Sequence, residues 1–187
     1  MISRDEQRAR VVDQLAAHLL RTGLADASLR QLAGAAGVSD RMLLYYFSDK
    51  AEVLAAALER VAAQLAGRLE AAVPAGTVLP ASKLIAVAAV LTTEDEMRPY
   101  MRLWIEVVAA AARGEAPFVE IARQIAAGFM QWIEARLVPG QPDDPEARQA
   151  AAAAILAAID GLALLEVCAG GDLTKSAAQT MGTLLRD

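Results

Sequence analysis

One histidine, His18, and one cysteine, Cys168, are all that the 187 residues hold of either type. A single thiol excludes an intrachain disulfide and suits a reducing compartment. One histidine and one cysteine cannot build a typical zinc site. No Ser-His-Asp order, glycine-rich phosphate loop or metal-spaced cluster appears, so neither an enzyme nor a cofactor is expected. His18 then reads as a packing or surface residue of a first helix. Residues 1–10 are charged rather than apolar, which is no signal peptide. The longest unbroken apolar run, residues 150–159, stops at Asp160, short of the ~20 residues of a membrane span. These absences predict a soluble, cytoplasmic protein with no membrane partner.

Aromatic residues are also scarce, at 4%, and few runs alternate as strands do, whereas 56% of the chain is hydrophobic and alanine abounds. Alanine and leucine favour helix, so the expected class is all-α, with about nine helices. Val12, Leu15, Ala16 and Leu19 stripe a first helix over about 4–21, which Gly23 ends as a left-handed residue. Ser28 and Gln31 form a capping box for a second helix with Leu29, Leu32, Ala33 and Ala36 inward. Gly37 breaks that helix and suits a positive φ. Ser39 caps a third helix running through Arg41 to about Tyr46, and Asp49 with Glu52 opens a fourth. Its stripe is Leu54, Leu58, Val61, Leu65 and Leu69. Further helices are expected at about 81–92, 94–113, 118–137, 145–168 and 173–185, with a loop at 138–145. Pro99 either sits near the start of the sixth or kinks it.

The net charge of −5 divides unevenly. Residues 1–50 hold seven Lys/Arg against six Asp/Glu; residues 51–187 hold eleven against seventeen. The acidity belongs to the later part, and local charge governs phosphate contact. Two short helices joined by Gly-Val-Ser make a helix-turn-helix. In that arrangement the second helix enters the major groove and its N-terminal residues reach base edges. Arg41 is the preferred base reader, because a guanidinium can bond guanine O6 and N7 together.

The stretch SLRQLAGAAGVS, then LYYF-S-D-K leading into a long helix, carries a resemblance. Residues 8–58 resemble the DNA-binding domain of the TetR family of bacterial transcriptional regulators. The resemblance implies a three-helix DNA-binding domain over residues 1–50 and a helical effector-binding and dimerisation domain over 51–187. It implies phosphate contacts from Ser28 and Arg30, and a recognition helix opening with Ser39, Asp40, Arg41 and Met42. Tyr45 and Tyr46 fall at aromatic positions, where a phenol bonds phosphate or a ring simply packs. Lys50 is expected to pin a phosphate together with the amides at the start of the fourth helix. Asp40 is either a cap or a repulsive specificity element. The chain departs from many relatives where Met42-Leu43-Leu44 replaces Thr-Leu-Tyr, so one phosphate contact is lost or passes to Tyr45, and the operator should differ.

The same resemblance implies a homodimer on a palindromic DNA operator, joined by a four-helix interface. Ile155, Leu156, Ile159, Leu162 and Ala163 of the eighth helix, with Met181 and Leu184 of the ninth, are the candidates. The other reading is intramolecular core. Met97, Tyr100, Met101, Trp104, Phe118, Phe129 and Met130 are the candidate contacts for an apolar or aromatic small-molecule effector; Trp132 either joins them or faces the eighth helix. The function expected is a ligand-responsive regulator, as a repressor. The rival is a helical small-molecule-binding or adaptor protein that has lost DNA binding.

Overall fold

A computed structural model describes residues 3–25, 27–138 and 144–184, the side chains of Gly182 and Leu184 excepted. Among these residues there are nine α-helices. They are α1 (Arg4–Thr22), α2 (Leu29–Ala35), α3 (Asp40–Tyr46), α4 (Lys50–Ala72), α5 (Ala81–Thr92), α6 (Arg98–Ala112), α7 (Phe118–Glu134), α8 (Pro145–Ala169) and α9 (Gly171–Leu184). A 3-10 turn, Asp95–Met97, precedes α6. Pro99 therefore lies in the first turn of α6, where its missing N–H costs nothing. The described residues contain no strand; Leu79 and Leu137 form one isolated bridge. The loop expected at 138–145 falls largely outside the described residues.

The chain divides into two compact units, Met1–Leu65 with Arg102–Ile125 and Ala66–Met101 with Ala126–Asp187. Residues 1–50 lie wholly in the first. There, α1 buries Val11, Val12, Leu15, Ala16 and Leu19, and α4 buries Val53, Leu54, Ala57, Leu58, Val61 and Leu65. Leu32 and Ala33 of α2, Leu43 of α3, Phe47, Leu103 and Val107 of α6 and Ile121 of α7 are buried in the same unit; Leu29 and Ala36 are only half-buried. Arg60 of α4 pairs with Asp13 of α1 at 3.1 Å.

The second unit is built on Leu84, Ile85 and Ala89 of α5, Ala152, Ile155 and Leu162 of α8, and Ala178 of α9. Ile133 and Leu137 close the same cluster. One buried cation organises its edge. Arg136 donates through Nε to the Val73 carbonyl at 2.7 Å and pairs with Glu70, and its guanidinium lies 4.4 Å from the Trp132 ring centre. That arrangement ties the end of α4 to the end of α7. Burying a guanidinium is tolerable only because its donors meet a carboxylate and carbonyls.

Candidate nucleic-acid interface

The helix-turn-helix is set by local chemistry. The Ser28 hydroxyl accepts the Gln31 amide and Gln31 returns a bond to the Ser28 amide, the full capping box. Gly37 takes φ 67°, and Val38 donates back to the Ala33 carbonyl at 3.0 Å, which turns the chain sharply. Ser39 then starts α3 by accepting the Met42 amide at 3.2 Å. With its N-terminus capped and Leu43 and Tyr46 buried, a seven-residue helix holds its orientation despite being too short to persist alone.

That orientation sorts the seven residues of α3. Leu43 and Tyr46 face the core, and Phe47 lies beneath the helix end. Asp40, Arg41, Met42, Leu44 and Tyr45 face outward. Met42, Leu44 and Tyr45 are large apolar or aromatic side chains standing in water on under two turns of helix. Ser28 before α2, Arg30 of α2, Ser39, and Lys50 at the start of α4 are exposed as well.

The two adjacent tyrosines separate. Tyr45 is 57% exposed, whereas Tyr46 is 9% exposed and donates its hydroxyl to Gln7 Oε1 at 2.9 Å. Tyr46, expected beside Tyr45 at the phosphate, is thus turned inward because α1 supplies its partner. The start of α4 is held by two carboxylates. The Ser48 amide donates to Glu52 Oε2 at 2.6 Å and the Glu52 amide to Asp49 Oδ1 at 2.9 Å. Carboxylates thus hold two of the amides at this junction, those of Ser48 and Glu52. The Ser48 N–H chiefly, with the Ser48 hydroxyl and Arg8, holds the Glu52 carboxyl below the usual carboxylate range.

Arg4 adds a cation that the motif did not mark. Its guanidinium lies 4.7 Å from the Tyr45 ring centre and donates to the Tyr45 carbonyl at 3.5 Å. Arg102 and Glu106 were missed as well. Arg102 donates to the carbonyls of Leu20 and Arg21 at 2.8 and 2.9 Å, and Glu106 Oε2 accepts the Leu24 amide at 2.5 Å. Gly23 has φ 72° and ψ −159°, the extended positive-φ region reserved for glycine rather than the left-handed helical one expected. Only the spacing of Arg102 and Glu106, one helical turn apart, hinted at a joint role.

The candidate effector residues fall in both units. Met97, Tyr100 and Met101 are buried in the second unit, where Phe129 and Met130 are half-buried. In the first unit Trp104 is half-buried, and Phe118 lines an open groove of about 710 Å³ with Leu24, Lys50, Leu54 and Glu106. Trp132 packs against the α5–α8–α9 core, and its buried indole Nε1 finds no hydrogen-bond acceptor among the described residues.

Of the candidate dimer residues, Ile155, Leu162 and Ala163 are buried within the chain itself and present no surface to a partner. Leu156, Ile159 and Met181 are half-buried, and the Leu184 side chain lies outside the described residues. The outer face of α8 is carried instead by Ala157, Gly161, Leu164, Val167 and Cys168, and Leu173 is exposed near the start of α9. By length and composition α8 is apolar enough to cross a bilayer, yet only 28% of its most apolar stretch is buried.

Comparison with known proteins completes the picture. Residues 80–186 match the family described as BetI-type transcriptional repressor, C-terminal, and residues 13–57 match the bacterial regulatory proteins of the tetR family. The HTH-type transcriptional regulator BetI of Paraburkholderia phytofirmans is 33% identical over 103 residues, 54% of this chain and 53% of the relative. The match thus spans about half the length of that curated relative. A member of the TetR family from Streptomyces coelicolor superposes with a TM-score of 0.69 at 25% identity, over 96% of this chain and 98% of that one. The multidrug binding protein EbrR, solved with proflavin, gives 0.68 at 23% identity over 96% and 99%. With a capped helix-turn-helix at one end and a BetI-type match over more than half of its length, the chain belongs to the TetR family of bacterial regulatory proteins.

Proposed function

We propose that the chain is a ligand-responsive transcriptional repressor that binds a palindromic DNA operator as a homodimer in the cytoplasm. The observation that carries this reading is α3, a rigidly capped helix whose outward row is Arg41, Met42, Leu44 and Tyr45. Arg41 reads a guanine edge, while Met42 offers apolar contact to a thymine methyl. Ser28, Arg30, Ser39, Tyr45 and Lys50 hold the flanking phosphates, and Arg4 joins them. Asp40 disfavours any register that would bring a phosphate to it. Leu44 stands where a phosphate-bonding tyrosine is common in the family, so that bond passes to Tyr45. Tyr46 supports Tyr45 from beneath, with the rings 5.5 Å apart and edge to face.

Two reading heads require a dimer whose symmetry matches the operator. The outer face of α8, with Leu164 and Val167 flanking the small residues Ala157 and Gly161, and with Leu173 of α9, is the surface we assign to a second copy. Small residues allow close helix approach, and an apolar face this long calls for cover. The effector is an apolar or aromatic compound, received in the second unit by Met97, Tyr100, Met101, Phe129 and Met130. Thioethers and rings adapt to such ligands, and the proflavin bound to EbrR is of that kind. The effector acts through its differential affinity for the DNA-competent and DNA-incompetent forms.

The test is selection of duplexes from a randomised library, followed by titration of the recovered duplex by anisotropy and by measurement of mass in solution. A palindromic duplex bound by two protomers is the expected result. Recovery of no preferred duplex at low salt sinks the reading and favours an adaptor that has lost DNA binding.

A further inference from the structure

At the end of α1 one expected helix bond is missing. A continuing helix would join the Leu24 amide to the Leu20 carbonyl. Instead each of the two groups is taken by a different charge from α6. The Leu20 carbonyl accepts from Arg102 Nη2 at 2.8 Å, which also reaches the Arg21 carbonyl at 2.9 Å. The Leu24 amide donates to Glu106 Oε2 at 2.5 Å. The two side chains lie one turn apart on α6, with Arg102 Nε 4.0 Å from Glu106 Oε1. Their signs suit their places, a cation on the carbonyl end of a helix and an anion on a free amide. Gly23 completes the fit. A Cβ there would overlap the Glu106 carboxylate, so the glycine admits the acid as well as the backbone angle.

We propose that Arg102 and Glu106 are positioning residues for DNA reading: α6 holds the α1–α2 junction by this two-charge clamp and so sets the attitude of α2 and α3. Neither residue belongs to the candidate DNA face. Both act through Leu20–Leu24, the segment that leads to the start of α2 five residues later. This inference rests on the DNA-reading function above.

The experiment compares Glu106→Ala, Glu106→Gln and Arg102→Ala with the unaltered full-length chain. Each is titrated with the duplex that the unaltered chain selects and with a scrambled duplex of equal length. Glu106→Ala and Arg102→Ala should each lose about tenfold in affinity for the selected duplex, the scale of a charged hydrogen bond. Affinity for the scrambled duplex and the salt slope should stay unchanged, because no phosphate contact is removed. Glu106→Gln should recover most of the loss, because its amide oxygen still accepts the Leu24 N–H. A purely structural role would lower the melting temperature yet leave the ratio of selected to scrambled binding intact in the folded fraction. An unchanged ratio in both alanine variants overturns the proposal. Amide exchange supplies a readout without DNA: residues 24–47 should exchange faster in Glu106→Ala. Exchange at the unaltered rate there overturns the clamp even if DNA reading stands, whereas failure to select any duplex strikes the proposed function itself.

Discussion

In residues 1–50 every helix opens on a side chain that closes its first turn. Ser3, Ser28 and Ser39 each accept the amide three residues on, and Asp49 does so for Glu52 as α4 begins. In the second unit Asp144 caps α8, but α5 opens on Pro80 with no side-chain cap, and its residues are fixed by burial against α8 and α9. The difference follows length and purpose. Helices of seven residues cannot propagate their own order, so the reading head spends polar side chains on termini. Helices of 12, 25 and 14 residues bury enough apolar surface to hold each other. A head that must present one face to DNA is thereby defined by hydrogen bonds of fixed geometry. The α5–α8–α9 core is defined by non-directional packing.

The sharpest way to break this contrast is to cut the packing. Leu162 is fully buried in the α5–α8–α9 core. Leu162→Ala should cost about 2–5 kcal/mol, the largest single effect expected, as read by denaturant unfolding. A cost comparable to a lost cap would mean that the body is not held by its core. Next comes the reading row. Arg41→Ala should cost about 1–3 kcal/mol of operator binding, confined to one base position of the selected duplex. Lys50→Ala should weaken all sequences alike and reduce the salt slope by about one. A uniform loss for Arg41 with a base-specific loss for Lys50 would exchange their roles. Smaller again is Ser3→Ala, which removes half of the α1 capping box and should cost ~1 kcal/mol of stability. No effect there would show that α1 is held by its buried stripe, as the body helices are.

How much of this was legible in the sequence follows the same line. The caps at Ser28 and Ser39, the positive φ of Gly37, and the α5 bounds Ala81–Thr92 were readable, since each is decided by residues a turn away. Tyr45 and Tyr46 were not separable. Both are aromatic, and their assignment depends on Gln7, 39 residues earlier. Gly23 was placed correctly as a stop but not in conformation, because Glu106 lies far along the chain. On α8 an alanine-rich sequence offers no polar stripe to mark the outside. Its inner residues, Ile155, Leu162 and Ala163, therefore could not be told from outer ones such as Leu164 and Val167. Dependence on local chemistry made the head readable, and dependence on packing hid the body.

The smallest expected effect tests the α3–α4 junction by pH. Glu52 accepts the Ser48 amide at 2.6 Å and lies 3.8 Å from Arg8, opposed by slight desolvation and by nearby Asp49. These contacts favour the ionised form, so its folded pKa lies below the unfolded value of ~4.3. A carboxyl so depressed contributes stability that is fully present above the unfolded value and lost as pH falls through the folded one. Glu52→Gln should therefore melt below the unaltered chain at neutral pH, by a degree or so (~1–2 °C) for a pair this exposed. The gap should close as the pH drops from about 5 to about 3. Parallel melting curves across that range would show that the Ser48 amide is satisfied by an uncharged acceptor equally well. The junction would then owe its order to Phe47 beneath it, and the contrast between a hydrogen-bonded head and a packed body would weaken at the point where the recognition helix ends.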